Sequence, residues 1–391
     1  MINIAVLGFG TVGSGVYEVL KKDSKVIADR VGDAVQIKYI VEIRDFSDHA
    51  DAHLFTKDYN DVLTDNSVSV VVEMMGGIEP AYTFTKDAIL HGKSVVTSNK
   101  ALVAAKGAEL FALARENGVF YRYEASVGGG IPLIRPIGTC LAANRITRVM
   151  GILNGTTNYI LTKMIEEGQS FEVALADAQK KGYAEADPTA DVEGHDTCRK
   201  IAILSSLIFG KNVDYTGIYT EGISGIEPED VEYAEALGCS IKLVGLARIG
   251  EEKVFARVSP MLIPNDSPLA CVKDVFNGVL LTGDNVGEVM LYGSGAGKLP
   301  TASAVVSDVI DVARGISDNR RLDWEAGDSS YVTPLVETKT ACLVRSSVEI
   351  EDATCIDIGF EDEKGYILRN FKESDLELLL KREGVKKCIR M

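Results

Sequence analysis

Ile2-Asn3-Ile4-Ala5-Val6-Leu7-Gly8-Phe9-Gly10-Thr11-Val12-Gly13 is the stretch whose reading decides the fold. A short apolar run meets G-x-G-x-x-G with nothing between them. Val12, Val16, Val19 and Leu20 then recur at helical spacing. In a strand–turn–helix setting one glycine permits the tight turn, one lets the backbone approach a diphosphate, and the third allows close helix–strand packing. The helix start adds unpaired amides and a positive dipole end. Six residues alone say little, because glycines are common in ordinary turns. In this context they predict a dinucleotide site on Gly8, Phe9, Gly10, Thr11, Val12 and Gly13.

The pattern continues outward. Residues 35–43, 68–73, 94–97 and 119–123 read as strands, and Pro80 opens a helix toward Leu90, with another over 101–116. Such alternation with short connections indicates a parallel sheet covered by helices on both faces, an α/β dinucleotide-binding domain over residues 1–127. After Ser126-Val127-Gly128-Gly129-Gly130 the texture changes. Residues 145–151, 242–248 and 254–258 read as strands of a second sheet, an α+β domain over 128–296. Gly293-Ser294-Gly295-Ala296-Gly297 leads into an apolar helix at 302–314, within a segment 297–324 expected to return to the first domain. A small tail, 325–391, has strand-like 340–344 and 355–360, helical 375–382, and a last strand at 385–389.

Composition narrows the function. A chain of 391 residues exceeds one typical core, so several domains are expected. The net charge of −16 argues against nucleic acid and anionic membrane surfaces, which need clustered Lys and Arg. No apolar run is long enough to span a bilayer. The first residues show neither a basic n-region nor a cleavage-type h-region. Seven cysteines without a C-x-x-C pair disfavour a zinc site or a disulfide framework. The expectation is a cytoplasmic protein with a small-molecule partner.

Val41-Glu42-Ile43-Arg44-Asp45 ends the second strand. An acidic residue there binds a ribose 2′-hydroxyl, whereas an arginine accommodates a 2′-phosphate. Glu42 and Arg44 are both candidates, so the cofactor is NADP or NAD, with Arg44 tilting the expectation to NADP.

A second constellation lies at Tyr183-Ala184-Glu185-Ala186-Asp187-Pro188-Thr189-Ala190-Asp191-Val192-Glu193-Gly194-His195-Asp196. Pro188 blocks a helix, so Glu185, Asp187 and Asp191 fall on an irregular loop. An acidic loop reads equally well as solvated surface. The next helix sharpens the choice, because Asp196, Lys200 and Leu204 share one face at i+4 spacing. A half-buried lysine beside a carboxylate suits a zwitterionic substrate and proton transfer. The bland reading is an exposed helix pair contributing only about 0.3–0.5 kcal/mol.

The run from Ala178-x-x-x-Gly182-Tyr183-Ala184 through Asp187-Pro188-x-x-Asp191-Val192-x-Gly194-x-Asp196-x-x-x-Lys200 resembles the signature segment of homoserine dehydrogenases. Ser98-Asn99-Lys100, Glu124-Ala125-Ser126-Val127-Gly128-Gly129-Gly130-Ile131-Pro132 and Leu153-Asn154-Gly155-Thr156-Thr157-Asn158-Tyr159 agree with it. The resemblance covers about residues 1–320 and weakens after Trp324. It implies reduction of L-aspartate 4-semialdehyde to L-homoserine, and the reverse, in threonine, methionine and isoleucine biosynthesis. It also implies a Rossmann domain, a substrate and dimerisation domain, a homodimer or homotetramer, and a tail like a truncated ACT domain. By resemblance Lys200 is the proton donor and Lys100 its partner near cofactor and substrate. Tyr183, Glu185, Asp191, Asp196, Gly155 and Thr156 match substrate positions, and Gly297 a cofactor position. Glu124, Val127, Gly129 and Ile131 match a site for Na⁺ or K⁺, three of them through backbone carbonyls.

In that chemistry hydride reaches the aldehyde carbon and the carbonyl oxygen becomes an alkoxide needing a proton donor. In the oxidation direction the lysine must lose its proton, so activity toward homoserine rises with pH. Two competitors are weaker. An acyl-enzyme mechanism needs a reactive cysteine, and Cys140 and Cys198 have no evident base nearby in sequence. A non-catalytic nucleotide-sensing Rossmann regulator has no use for Glu185, Asp191, Asp196 and Lys200. All these residues precede Asp328, so a chain ending there is expected to keep some activity.

Overall fold

Ile4-Ala5-Val6-Leu7 are all fully buried in β1 (Ile2–Leu7), which runs through the middle of a six-stranded sheet. The sheet order is β3 (Phe55–Thr56), β2 (Val35–Val41), β1, β4 (Val68–Glu73), β5 (Ser94–Thr97), β6 (Tyr121–Arg122). Every neighbouring pair is parallel. Helices on both faces explain why β4 and β5 are buried along nearly their whole length. Strand order reverses between β1 and β4, and ligands of such sheets bind there, beyond the carboxyl ends.

The computed structural model describes residues 1–315 and 322–391; positions 316–321 of the expected 297–324 segment lie outside the described residues. The chain divides into two units. One comprises Met1–Arg145, Ser206–Asn212 and Gly293–Gly327; the other comprises Ile146–Ser205, Val213–Tyr292 and Asp328–Met391. In the first, the helix Lys298–Ala313 crosses the helix Thr11–Lys22 so closely that a Cβ on Gly15 would lie 2.7 Å from the Lys298 carbonyl oxygen. Val16, Leu20, Val305 and Val309 form their shared core. Trp324 belongs to the same unit. It is 1% exposed, packs edge-on against Phe111 at 4.8 Å, and donates its ring N–H to Asn212 Oδ1 at 3.2 Å.

The second unit is built on a ten-stranded mixed sheet. Its centre is the antiparallel pair β9 (Cys239–Ile249) and β10 (Val254–Pro264), in unbroken register from Cys239↔Pro264 to Ile249↔Val254. Both strands are buried nearly throughout because both faces are covered. Gly245 faces the helix His195–Phe209, where a Cβ would meet Ile201 Cβ at 3.1 Å. Val244 and Leu246, on the opposite face, pack with Leu269, Val272 and Leu280. Beyond β9 lie β7 (Ile146–Ile152), β11 (Phe276–Gly283) and β12 (Gly287–Ser294), and a short β8 (Tyr219–Thr220) pairs with β10.

The tail extends this same sheet. β13 (Lys339–Ser346), β14 (Thr354–Ile356), β15 (Lys364–Lys372) and β16 (Val385–Arg390) follow β10 in the order β16-β13-β15-β14. β16 pairs with β10 at Met261↔Arg390, and the helix Glu373–Leu379 covers a core of Cys342, Val344, Tyr366, Leu376 and Cys388.

Candidate active site

The glycine turn has the shape a diphosphate requires. Gly8 has φ +92°, and a Cβ there would press on the Met74 carbonyl oxygen at 3.2 Å. A Cβ on Gly13 would lie 2.1 Å from the Gly8 carbonyl oxygen, an overlap no side chain survives. Around Gly10, by contrast, nothing lies within 4 Å of the Cβ position. Gly10 starts the helix Thr11–Lys22 with no side-chain cap among the described residues, so its first amides remain for an anion. The turn fits a dinucleotide.

Phe9, inside the motif, turns its ring into an aromatic cluster with Phe46 at 5.2 Å and Phe55 at 5.0 Å. Its backbone N–H donates to Glu42 Oε2 at 2.8 Å. Glu42 is 8% exposed and also accepts from Arg44, Nη2 at 2.8 Å and Nε at 3.2 Å. Hydrogen bonds from the Arg44 guanidinium, aided by the Phe9 amide, hold the Glu42 carboxyl down at about 2. The two candidates for reading the ribose are thus one ion pair, with the arginine on the exposed side.

Sequence reasoning passed over Glu73, at the end of β4. It is fully buried and accepts from the Met75 amide at 2.7 Å and the Thr97 hydroxyl at 2.6 Å. Burial pushes its carboxyl upward, against those hydrogen bonds. The Asn99 amide donates to Thr97 Oγ1 at 2.9 Å, and the Asn99 side chain donates to the Gly77 carbonyl at 2.7 Å while capping the helix Lys100–Glu116. Lys100 is the first residue of that helix. Its neighbour Asn99 is thereby tied to the loop that follows β4.

Glu124 is 1% exposed, and its carboxylate accepts the amides of Ile134 at 2.9 Å and Arg135 at 2.8 Å. Its own amide donates to Asp308 Oδ2 at 2.8 Å, and Arg135 reaches Asp311 at 2.7 Å. Burial, then the Glu124 charge, push Asp308 up to about 7. The Glu124 side chain is therefore occupied, leaving only backbone oxygens for any ion. Among the described hydrogen bonds none ends on the carbonyls of Val127, Gly129 or Ile131, all three residues being buried.

In the second unit the helix His195–Phe209 brings Lys200 Nζ to 2.7 Å from Asp196 Oδ2, as i+4 spacing requires. Lys200 is 8% exposed and also donates to the Leu153 carbonyl at 2.6 Å. Asn154, the next residue, donates its side-chain amide to Asp196 Oδ2 at 2.9 Å and to Asp191 Oδ1 at 2.7 Å. Burial and then the Asp196 charge raise the Asp191 carboxyl. Asn154 also caps the helix Gly155–Glu167, where a Cβ on Gly155 would sit 2.6 Å from the Val275 carbonyl oxygen. Thr156 Oγ1 donates to the Tyr183 carbonyl at 2.7 Å. Glu185 is exposed two residues further on, and Asp187 is engaged in a local turn with Thr189. In the sequence Asn154 stands only as part of a motif, and its capping position before Gly155 is the available clue.

The profile of the family described as Homoserine dehydrogenase matches residues 132–310, and that of Homoserine dehydrogenase, NAD binding domain, matches residues 8–124. Homoserine dehydrogenase of Bacillus subtilis is 42% identical over 368 residues, 93% of this chain and 82% of that protein. Homoserine dehydrogenase of Pseudomonas aeruginosa is 46% identical over 319 residues, 81% of this chain and 74% of that protein. The crystal structure of a homoserine dehydrogenase from Thiobacillus denitrificans superposes with a TM-score of 0.89 at 36% identity, covering 100% of this chain and 97% of that one. The chain belongs to the homoserine dehydrogenase family, nicotinamide-dependent oxidoreductases.

Proposed function

We propose that the chain interconverts L-aspartate 4-semialdehyde and L-homoserine with Lys200 as the proton donor. The observation that carries this is the cluster of buried Lys200, Asp196 and Asn154 with half-buried Asp191. When bound, the nicotinamide supplies or accepts the hydride. Lys200 gives a proton to the carbonyl oxygen of the semialdehyde, and Asp196 and the Leu153 carbonyl fix the direction of its ammonium. Lys100 is assigned as the second lysine of the proton transfer. Asp191, Tyr183, Glu185, Gly155 and Thr156 hold the amino acid, with a carboxylate as the natural partner of its ammonium.

Gly8 to Gly13 seat the diphosphate, Gly297 approaches from the returning helix, and Arg44 takes a 2′-phosphate. NADP is therefore assigned over NAD; a solved hyperthermophilic archaeal homoserine dehydrogenase in complex with NADPH, 28% identical, is compatible with this. A monovalent cation, Na⁺ or K⁺, would be held by carbonyls of Glu124, Val127, Gly129 and Ile131, since carbonyl oxygens are hard ligands; it would stiffen the turn. We assign residues 1–127 to nucleotide binding, 128–296 to substrate and dimerisation, 297–324 to the returning segment, and 325–391 to a shortened ACT-like tail. A cytoplasmic homodimer or homotetramer in amino-acid biosynthesis fits the charge and composition. No described helix is long and apolar enough to cross a membrane.

The test is the nicotinamide absorbance change on adding homoserine, with NADP and NAD compared. No homoserine-dependent change with either cofactor overturns the reading.

A further inference from the structure

The geometry points to Arg390 and Glu221 as positioning residues that hold the substrate cluster in place from the last strand of the chain, an inference that rests on the function proposed above. Arg390, one residue from the C-terminal end, is 5% exposed. Its guanidinium grips Glu373 through Nε and Nη2, both at 2.9 Å, and its remaining Nη1 donates to Glu221 Oε2 at 2.8 Å. The Tyr219 hydroxyl donates to the same oxygen at 3.2 Å, and the guanidinium lies 4.9 Å over the Tyr219 ring. Three fixed contacts on a planar fork define the place of Glu221 more tightly than a single ammonium could.

Glu221 lies in a segment that leans on the turn between Asp191 and Asp196. The Ile223 amide donates to the Val192 carbonyl at 2.8 Å. Gly222 is so close that a Cβ would stand 2.3 Å from the Val192 carbonyl oxygen and 2.5 Å from Glu193 Cα. Gly194, at φ +80°, abuts Thr220 and the Glu221 carbonyl. On its other side the segment is fixed to β10 by the Glu221 amide, which donates to the Val258 carbonyl at 2.9 Å. The residues so braced, 192–194, separate the two carboxylates that Asn154 bridges, and Lys200 follows one turn beyond Asp196.

A displaced Glu221 therefore shifts the spacing of Asp191 and Asp196 without touching the nucleotide turn. Coupling through packed segments of this kind is on the order of threefold to thirtyfold in an equilibrium. Arg390→Met and Glu221→Gln are each expected to raise the homoserine KM by roughly that factor, with the NADP KM within twofold of the parent chain. Arg390→Lys should recover only part of the effect. Amide exchange at Ile223 should quicken in Arg390→Met. If Arg390→Met does not fold, Glu221→Gln, which keeps the shape of the side chain, decides the matter. A folded Glu221→Gln protein with an unchanged homoserine KM overturns the proposal, as does an equal rise in both KM values. An unmodified chain with no homoserine-dependent activity contradicts the function itself, so the two failures are distinct.

Discussion

Asn154 donates one side-chain amide to both Asp191, at 2.7 Å, and Asp196, at 2.9 Å, holding a half-buried and a buried carboxylate around a single nitrogen. Without that amide the carboxylates face each other with Lys200 as their remaining described cation. Hydrogen bonds to charged groups contribute about 1.5–3 kcal/mol. Asn154→Ala is thus expected to lower kcat/KM for homoserine by roughly 10- to 100-fold, while the NADP KM holds. Steady-state kinetics at fixed cofactor check it, and an unaltered kcat/KM would remove Asn154 from the site.

Arg44 is paired with Glu42 at 2.8 Å and stands on the exposed side of the pair. Arg44→Ala should weaken NADP binding more than NAD binding, because the 2′-phosphate loses its partner and the uncovered Glu42 repels it. The same Glu42 would then be available to a ribose hydroxyl. Dissociation constants for both cofactors test this; equal losses would show that Arg44 does not read the phosphate.

Asp308 titrates near 7, raised chiefly by burial, whereas an unfolded Asp titrates at about 3.9. The folded state thus binds the extra proton between those values. Its stabilising contribution is present below the lower value and is lost as pH rises toward the upper one. Asp308→Asn keeps an acceptor for the Glu124 amide and should flatten stability against pH over that window. Urea midpoints at pH 5 and pH 8 measure the slope, and an unchanged slope would contradict the assignment.

The tail bears on one expectation. The sequence predicts that a chain ending near Asp328 keeps some activity, since every motif residue lies upstream. Yet β16 adds to the sheet beside β10, and Arg345 of β13 pairs with fully buried Asp230 at 2.8 Å. Removing one partner of a buried pair costs about 3–5 kcal/mol. Truncation at Asp328 should therefore sharply lower the unfolding midpoint, and thermal melting decides; a truncated chain as stable as the full one would refute it.

The contrast between the two halves explains what could be read in advance. The nucleotide turn was legible because its glycines answer to local constraints, the overlap of Gly13 with Gly8 among them. Asp196 and Lys200 were legible because helical spacing fixes which residues meet. β11, β12 and β15 were missed, and so was the union of tail and second sheet, because pairing between distant strands leaves little trace in either strand alone. β9 and β10 were legible as strands from their apolar runs, but only in part: buried on both faces, they carry no alternation to mark where each one ends. The roles of Glu73, Asn154 and Asp308 were not legible, because a buried polar residue reveals its partners only once the chain is folded.

Lys200→Ala, assayed for kcat in both directions alongside NADP binding, tests the central claim most directly. General acid–base catalysis contributes roughly 10²–10⁴-fold, so kcat should fall by that order while NADP binding stays nearly unchanged. Lys200→Arg should restore little, because guanidinium keeps its charge but hardly releases a proton. A folded Lys200→Ala protein with near-normal kcat in both directions would contradict the account and leave Lys200 as a structural partner of Asp196.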